Sequence, residues 1–149
     1  MRKASSALTL SVQYGTANDG LPSRQRLRSW AKSALLTDAQ VTLRLVGGRE
    51  GRSINRDFRG KDYATNVLTF AYHDTTPLSG DIVLCAPVIA KQAREQRKSV
   101  EAHYAHMVVH GMLHLQGYDH ESDRDARVME SLEAEIVVKL GYADPYETR

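Results

Sequence analysis

The stretch "VEAHYAHMVVHGMLHLQGYDH", residues 100–120, decides how this chain is read. Over about 100–116, Val100, Tyr104, Met107, Val108, Val109, Met112, Leu113 and Leu115 leave no broad polar face, so a helix here must be buried on most sides. A buried helix needs layers around it, and the neighbouring segments supply them. From Pro87 onward the pattern is helical, with a break near Lys98 and Ser99. A last helix begins near Ser122, whose spacing to Asp125 resembles a capping box. It carries Met129, Leu132, Ile136, Val137 and Leu140 on one face, and Gly141 is placed to end it.

Toward the N-terminus the period changes. "LTLSVQY" (8–14) and "VTLRLV" (41–46) alternate apolar and polar residues, the mark of strands with one buried face. Between them, "PSRQRLRSWAKSALL" (22–36) sets Leu27, Trp30, Ala31, Ala34 and Leu35 at helical spacing, with Pro22 suited to a first-turn position. "GREGRSINRDF" (48–58), with Ile54 and Phe58 four apart, predicts a second, shorter helix after a glycine turn. "NVLTFAY" (66–72) and "DIVLC" (81–85) are strand candidates joined by the turn-rich "HDTTPLSG" (73–80), which predicts an antiparallel pair. His73 in that loop is expected to face solvent. The order implies an α+β fold, a small mixed β-sheet of about four strands packed with about five helices. At 149 residues, without a repeat, linker or low-complexity tract, the chain reads as a single domain over 1–149.

Composition narrows the class. Hydrophobic residues at 42% and charged residues at 26% are ordinary globular usage and exclude a disordered or fibrous chain. The net charge of +2 is too small to declare a nucleic-acid binder, yet it is uneven: Arg24, Arg26, Arg28 and Lys32 form one run and Arg49, Arg52, Arg56, Arg59 and Lys61 another. Cys85, the single cysteine, lies in an apolar run and reads as a small buried hydrophobe. The N-terminus lacks the continuous apolar core of a signal peptide, and no run approaches the roughly 18 apolar residues of a membrane span. No membrane association and a reduced, cytoplasmic setting are expected.

Three of the six histidines fall between 110 and 120. His110 and His114, four apart on a helix, share one face and can both meet one ion. Gly117 supplies a natural helix stop, and the turn after it can bring His120 to the same point. Three neutral imidazoles suit zinc and leave its fourth tetrahedral position open, as catalytic sites do. The candidate metal site therefore lies on the buried central helix and the turn that follows. His103 and His106, on nearly the same stripe, read as packing residues or as supports behind the ligands. The stretch also resembles the H-E-x-x-H helix of zinc proteases, but Gly111 stands where the protease has its glutamate base. Water activation would then fall to the metal itself or to Asp119, Glu121 or Asp123, among which spacing does not choose.

A second constellation, "NRDFRGKDYATNVLTF" (55–70), places Arg59 and Lys61 around a glycine at a strand entrance. An arginine there can hold a phosphate through two N–H groups and offset charge developing in phosphoryl transfer; it can equally be a solvated surface residue.

Taken together, "FRGKDYATNVLTF", "SGDIVLC" and "AHMVVHGMLHLQGYDHESD" resemble the YbeY family, bacterial endoribonucleases that mature ribosomal RNA. The likeness runs from the first strand to "LGYADPY" (140–146), and H-G-x-L-H-L-x-G-Y-D-H is a specific signature. Thr69 stands where the family pattern has serine. The resemblance implies a single-strand-specific endoribonuclease serving small-subunit rRNA 3′-end processing and ribosome quality control, with one zinc ion held by His110, His114 and His120. It also gives catalytic roles to Arg59 and His114, and makes single-stranded RNA, the ribosome and ribosome-assembly factors the expected partners. Two rival readings use the same residues: a metallohydrolase of another substrate class, such as a peptidase, and an assembly factor whose metal is structural.

Overall fold

A computed structural model describes residues 6–17, 20–72 and 76–147. His73, expected to face solvent, lies outside the described residues. The elements run β1 (Leu8–Tyr14), α1 (Arg24–Ser33), β2 (Ala39–Val46), α2 (Gly48–Arg59), β3 (Val67–Tyr72), β4 (Leu78–Cys85), α3 (Ala86–Glu95), α4 (Val100–Leu115) and α5 (Asp123–Lys139). Four strands form one sheet in the order β1-β2-β4-β3. The first two junctions are parallel and β3 pairs antiparallel with β4. This is the mixed α+β arrangement expected from the sequence.

The central helix behaves as its composition demands. α4 packs against α1, α3, α5, β3 and β4. Its Tyr104, Val108, Val109, Met112 and Leu113 share one core with Leu27 and Trp30 of α1, Leu43 and Leu45 of β2, Ile82 and Leu84 of β4, and Met129 of α5. On the sheet's other side a smaller core of Val46, Leu68, Val83 and Cys85 is covered by Ile54. Hydroxyl caps set three helix starts: Ser23, Ser99 and Ser122 accept the N–H groups of Arg26, Ala102 and Asp125.

Several boundaries differ from the sequence reading, each for a physical reason. Pro22 is not in the first turn of α1, because Ser23 takes the cap and pushes the proline outside the helix. α2, at 12 residues, is longer than the 10 of α1. Its inward stripe is Gly51, Ile54 and Asn55, while Phe58 is 70% exposed. Gly51 is needed there, since a Cβ would stand 2.8 Å from the Cys85 sulfur. The stretch "LSG" belongs to β4 and not to a turn, paired with Ala39–Val41 on one side and Ala71 and Tyr72 on the other. Gly80 suggested a turn, but its role is closeness: a Cβ would meet Leu115 at 2.6 Å and the Phe70 carbonyl at 2.9 Å.

Candidate metal centre

α4 carries His103, His106, His110 and His114 on one side, and its outer end delivers the last two toward the surface. The helix ends at Leu115, Gly117 takes φ 109°, and the chain turns back as the sequence predicted. The turn brings the His120 ring within 5.7 Å of His110 and 6.0 Å of His114, while His110 and His114 stand 6.2 Å apart, measured between ring centres. The three rings therefore form a nearly equilateral triangle.

Hydrogen bonds decide which nitrogen each ring offers. His110 Nδ1 lies 3.0 Å from a carboxylate oxygen of Glu133, and His114 Nδ1 lies 2.9 Å from the carbonyl of Tyr118. Both partners are acceptors, so each Nδ1 carries a proton and, in the neutral ring, each Nε2 keeps the lone pair. Tying one nitrogen to a carboxylate or carbonyl to orient the other is the support that metal-binding imidazoles use. The donor set thus fits zinc in chemistry, though the triangle is open. Three imidazoles at about 2.0–2.1 Å from a tetrahedral zinc have ring centres roughly 5 Å apart, and among the described residues no group of three or more His, Cys, Asp or Glu is already drawn up as a ligand set.

Glu133 is the residue that sequence reasoning missed. It is fully buried, yet its carboxylate meets His106 Nε2 at 2.7 Å, His110 Nδ1 at 3.0 Å and the Tyr146 hydroxyl at 2.6 Å. Burial pushes this carboxyl up, and the hydrogen bonds from His106, His110 and Tyr146, together with the charge of His110, outweigh it and hold the group at about 2. Burial and the adjacent carboxylate raise the Tyr146 hydroxyl well above its ordinary value, keeping it a donor. A signal for Glu133 existed: it sits four residues after Met129 and three before Ile136, inside the apolar stripe of α5.

His103 and His106 do not reach the triangle. They are 2% and 7% exposed and bond Gln92 and Glu133, which makes them packing and support residues. Gly111 faces the sheet, where a Cβ would stand 3.0 Å from Ile82. A glutamate there would be driven into the core, so the helix has no room for the protease base. Of the carboxylates near the turn, Asp119 accepts the Glu121 N–H, and Asp123 sits in the first turn of α5.

Arg59, the last residue of α2, donates from a terminal nitrogen to the Thr69 carbonyl at 2.7 Å and lies over the Phe70 ring. Arg59 and His114 line one open cleft of about 480 Å³ with Phe58, Phe70, Tyr72 and Leu115. Two residues far apart in sequence are thereby set in the lining of the same hollow.

Comparison with known proteins follows the same outline. A family model described as Endoribonuclease YbeY matches residues 21–141. The Endoribonuclease YbeY of Nitrosomonas europaea is 58% identical, covering 93% of this chain and 85% of its own length. That of Methylobacillus flagellatus is 52% identical over 95% of both chains. The solution structure of TM1509 from Thermotoga maritima superposes with a TM-score of 0.55 at 27% identity, covering 94% of this chain and 100% of the other.

Proposed function

The chain belongs to the Endoribonuclease YbeY family, and from that premise we propose that it is a zinc-dependent, single-strand-specific endoribonuclease. Its substrate is ribosomal RNA, in small-subunit 3′-end maturation and ribosome quality control, and its partners are the ribosome and assembly factors in the cytoplasm. The observation that carries this reading is the shared cleft of Arg59 and His114 beside three gathered imidazoles. A metal held by those imidazoles and a guanidinium lining the same cleft would together meet the charge of a phosphodiester.

His110, His114 and His120 would hold the zinc. When bound, the ion supplies Lewis-acid polarisation of the phosphoryl group and an oxygen nucleophile activated near neutral pH. The protein's own groups do the remainder. Arg59 commits one of its N–H donors to Thr69, which fixes the guanidinium, and directs others at a phosphate in the cleft. Charge developing on the phosphoryl oxygens is stabilised by this fixed cation. Glu133 and the Tyr118 carbonyl keep His110 and His114 in the tautomer that presents Nε2. An open cleft suits a flexible single strand better than a duplex, whose phosphates are held in set geometry.

The test sets purified protein against labelled single-stranded RNA, duplex RNA and a peptide library. Cleavage of the single strand alone is expected; hydrolysis of peptides without RNA cleavage would move the site to another substrate class.

A further inference from the structure

The sequence holds two basic runs, and the structure treats them differently. On α1 the three arginines are held by other elements of the fold. Arg24 donates to the Val12 carbonyl and covers the Tyr14 ring, Arg26 pairs with Glu101, and Arg28 reaches the Leu8 carbonyl. On α2, Arg49, Arg52 and Arg56 are not. The Arg49 side chain makes no hydrogen bond or ion pair with any described residue. Arg52 holds Asp62 at 2.8 and 2.9 Å, and Arg56 holds its neighbour Asp57 at 3.3 Å. All four of those side chains are more than half exposed, between 54% and 58%. Exposed pairs of this kind contribute little, because water and salt screen them, so a phosphate can replace the carboxylates readily.

Geometry arranges these arginines in a line. Positions 49, 52, 56 and 59 on a helix fall within about an 80° arc and along roughly 15 Å of axis. At one end Arg49, Arg52 and Arg56 line an open hollow of about 480 Å³ with Gly48 and Ser53. At the other, Arg59 lines the cleft that holds His114. Along the helix the arginines thus lead from the first hollow toward the cleft that Arg59 shares with His114, with Asp57 and Asp62 as exposed partners on the way, and Phe58 beside Arg59, 70% exposed, offers a ring on which a base can stack.

We propose that Arg49, Arg52 and Arg56 form a phosphate track, along which the single-stranded RNA flanking the cleaved bond is held by its backbone. The track rests on the reading of the cleft as a ribonuclease site. It carries no base code, since guanidinium–phosphate contacts position a strand without reading its sequence. Single-stranded RNA is the occupant because the stripe leads along one helix to Arg59 in the cleft and its charge is complementary to a phosphodiester backbone.

The experiment is a fluorescence-anisotropy titration of labelled single-stranded RNA with the zinc-loaded chain, from about 50 to 300 mM salt, the RNA being checked for integrity after each titration. Wild type is compared with Arg49→Ala/Arg52→Ala/Arg56→Ala and with the matching triple lysine variant. Circular dichroism and zinc content report that each chain is folded and loaded. The alanine variant is expected to bind about 10- to 100-fold more weakly at low salt, with a salt slope shallower by about 2, near 0.7 for each phosphate no longer neutralised. The lysine variant should recover most of that slope, because it keeps the charge. Unchanged affinity and slope in a preparation whose wild type cleaves RNA overturn the track and leave the ribonuclease reading standing. Wild type that neither binds nor cleaves RNA overturns both. Weaker binding to an acidic peptide, with RNA binding intact, overturns the track by assigning the stripe to a protein partner.

Discussion

The four histidines of α4 lie on one side of one helix, yet the inner and outer pairs are wired in opposite senses. His103 and His106 engage Nε2, with Gln92 at 2.9 Å and with Glu133 at 2.7 Å, and leave Nδ1 buried without a partner among the described residues. His110 and His114 engage Nδ1, with Glu133 and with the Tyr118 carbonyl, and leave Nε2 without a hydrogen bond to any described residue. Burial, nearly complete for the inner pair and partial for the outer, does not by itself say where a ring's lone pair points. The choice of nitrogen does, because it fixes the tautomer and so the direction of the available lone pair. Glu133 joins the two pairs, accepting from one histidine of each.

The sharpest way to break that contrast is at the outer pair. His114→Ala is expected to abolish RNA cleavage and zinc retention while circular dichroism still reports a folded chain; retained zinc with full cleavage would show that the outer ring is not a ligand. In the same cleft, Arg59→Glu should keep the metal and lose about 10²- to 10³-fold in kcat, in line with removing a group that stabilises developing charge. Its control is zinc analysis on the same sample.

Removing the group that links the pairs should have an intermediate effect on function and a large one on stability. Glu133→Ala leaves one buried and two partly buried donors without their acceptor, so thermal unfolding should report a loss of about 3 kcal/mol. Competition with a chelator should show zinc bound about 10- to 100-fold more weakly. Glu133→Gln should recover much of the stability, because its amide oxygen can still accept a hydrogen bond.

The inner pair should show itself through pH. Burial first, then the charges of Lys98 and His106, push His103 down from its ordinary 6.5 to about 4. As pH falls below 6.5 the unfolded chain takes up this proton first, so the stability that a neutral His103 contributes is complete above 6.5 and is lost progressively toward 4. The loss is on the order of 3 kcal/mol at most. His103→Gln should flatten this part of the stability–pH curve, measured by urea unfolding at several pH values, and leave zinc affinity unchanged.

The strands, the buried helix and the three-histidine turn are legible in the sequence because each is written in local spacing: period two, an all-round apolar stretch, and an i, i+4 pair followed by glycine. What escapes it depends on the packing of distant segments. Gly80 and Gly111 look like turn or substitution signals until α4 is laid against β4 and the space for a Cβ vanishes. Arg59 could equally be a surface cation until α2 and β3 set it in the cleft of His114. Glu133 needs both α4 and the C-terminal Tyr146 to explain a carboxylate in an apolar stripe. The capping serines are half legible, since Ser122 caps α5 as its spacing predicts, whereas Ser23 displaces Pro22 from its expected place.

The central claim is tested most directly by elemental analysis of the purified chain beside its single histidine-to-alanine variants, each assayed on RNA before and after chelation. One zinc per chain is expected in wild type, lost on changing His110, His114 or His120 but kept in His103→Gln, with cleavage vanishing on chelation and returning with added zinc. A folded chain that cleaves RNA at full rate with no metal bound, or one that keeps its zinc after all three outer rings are changed, would contradict it.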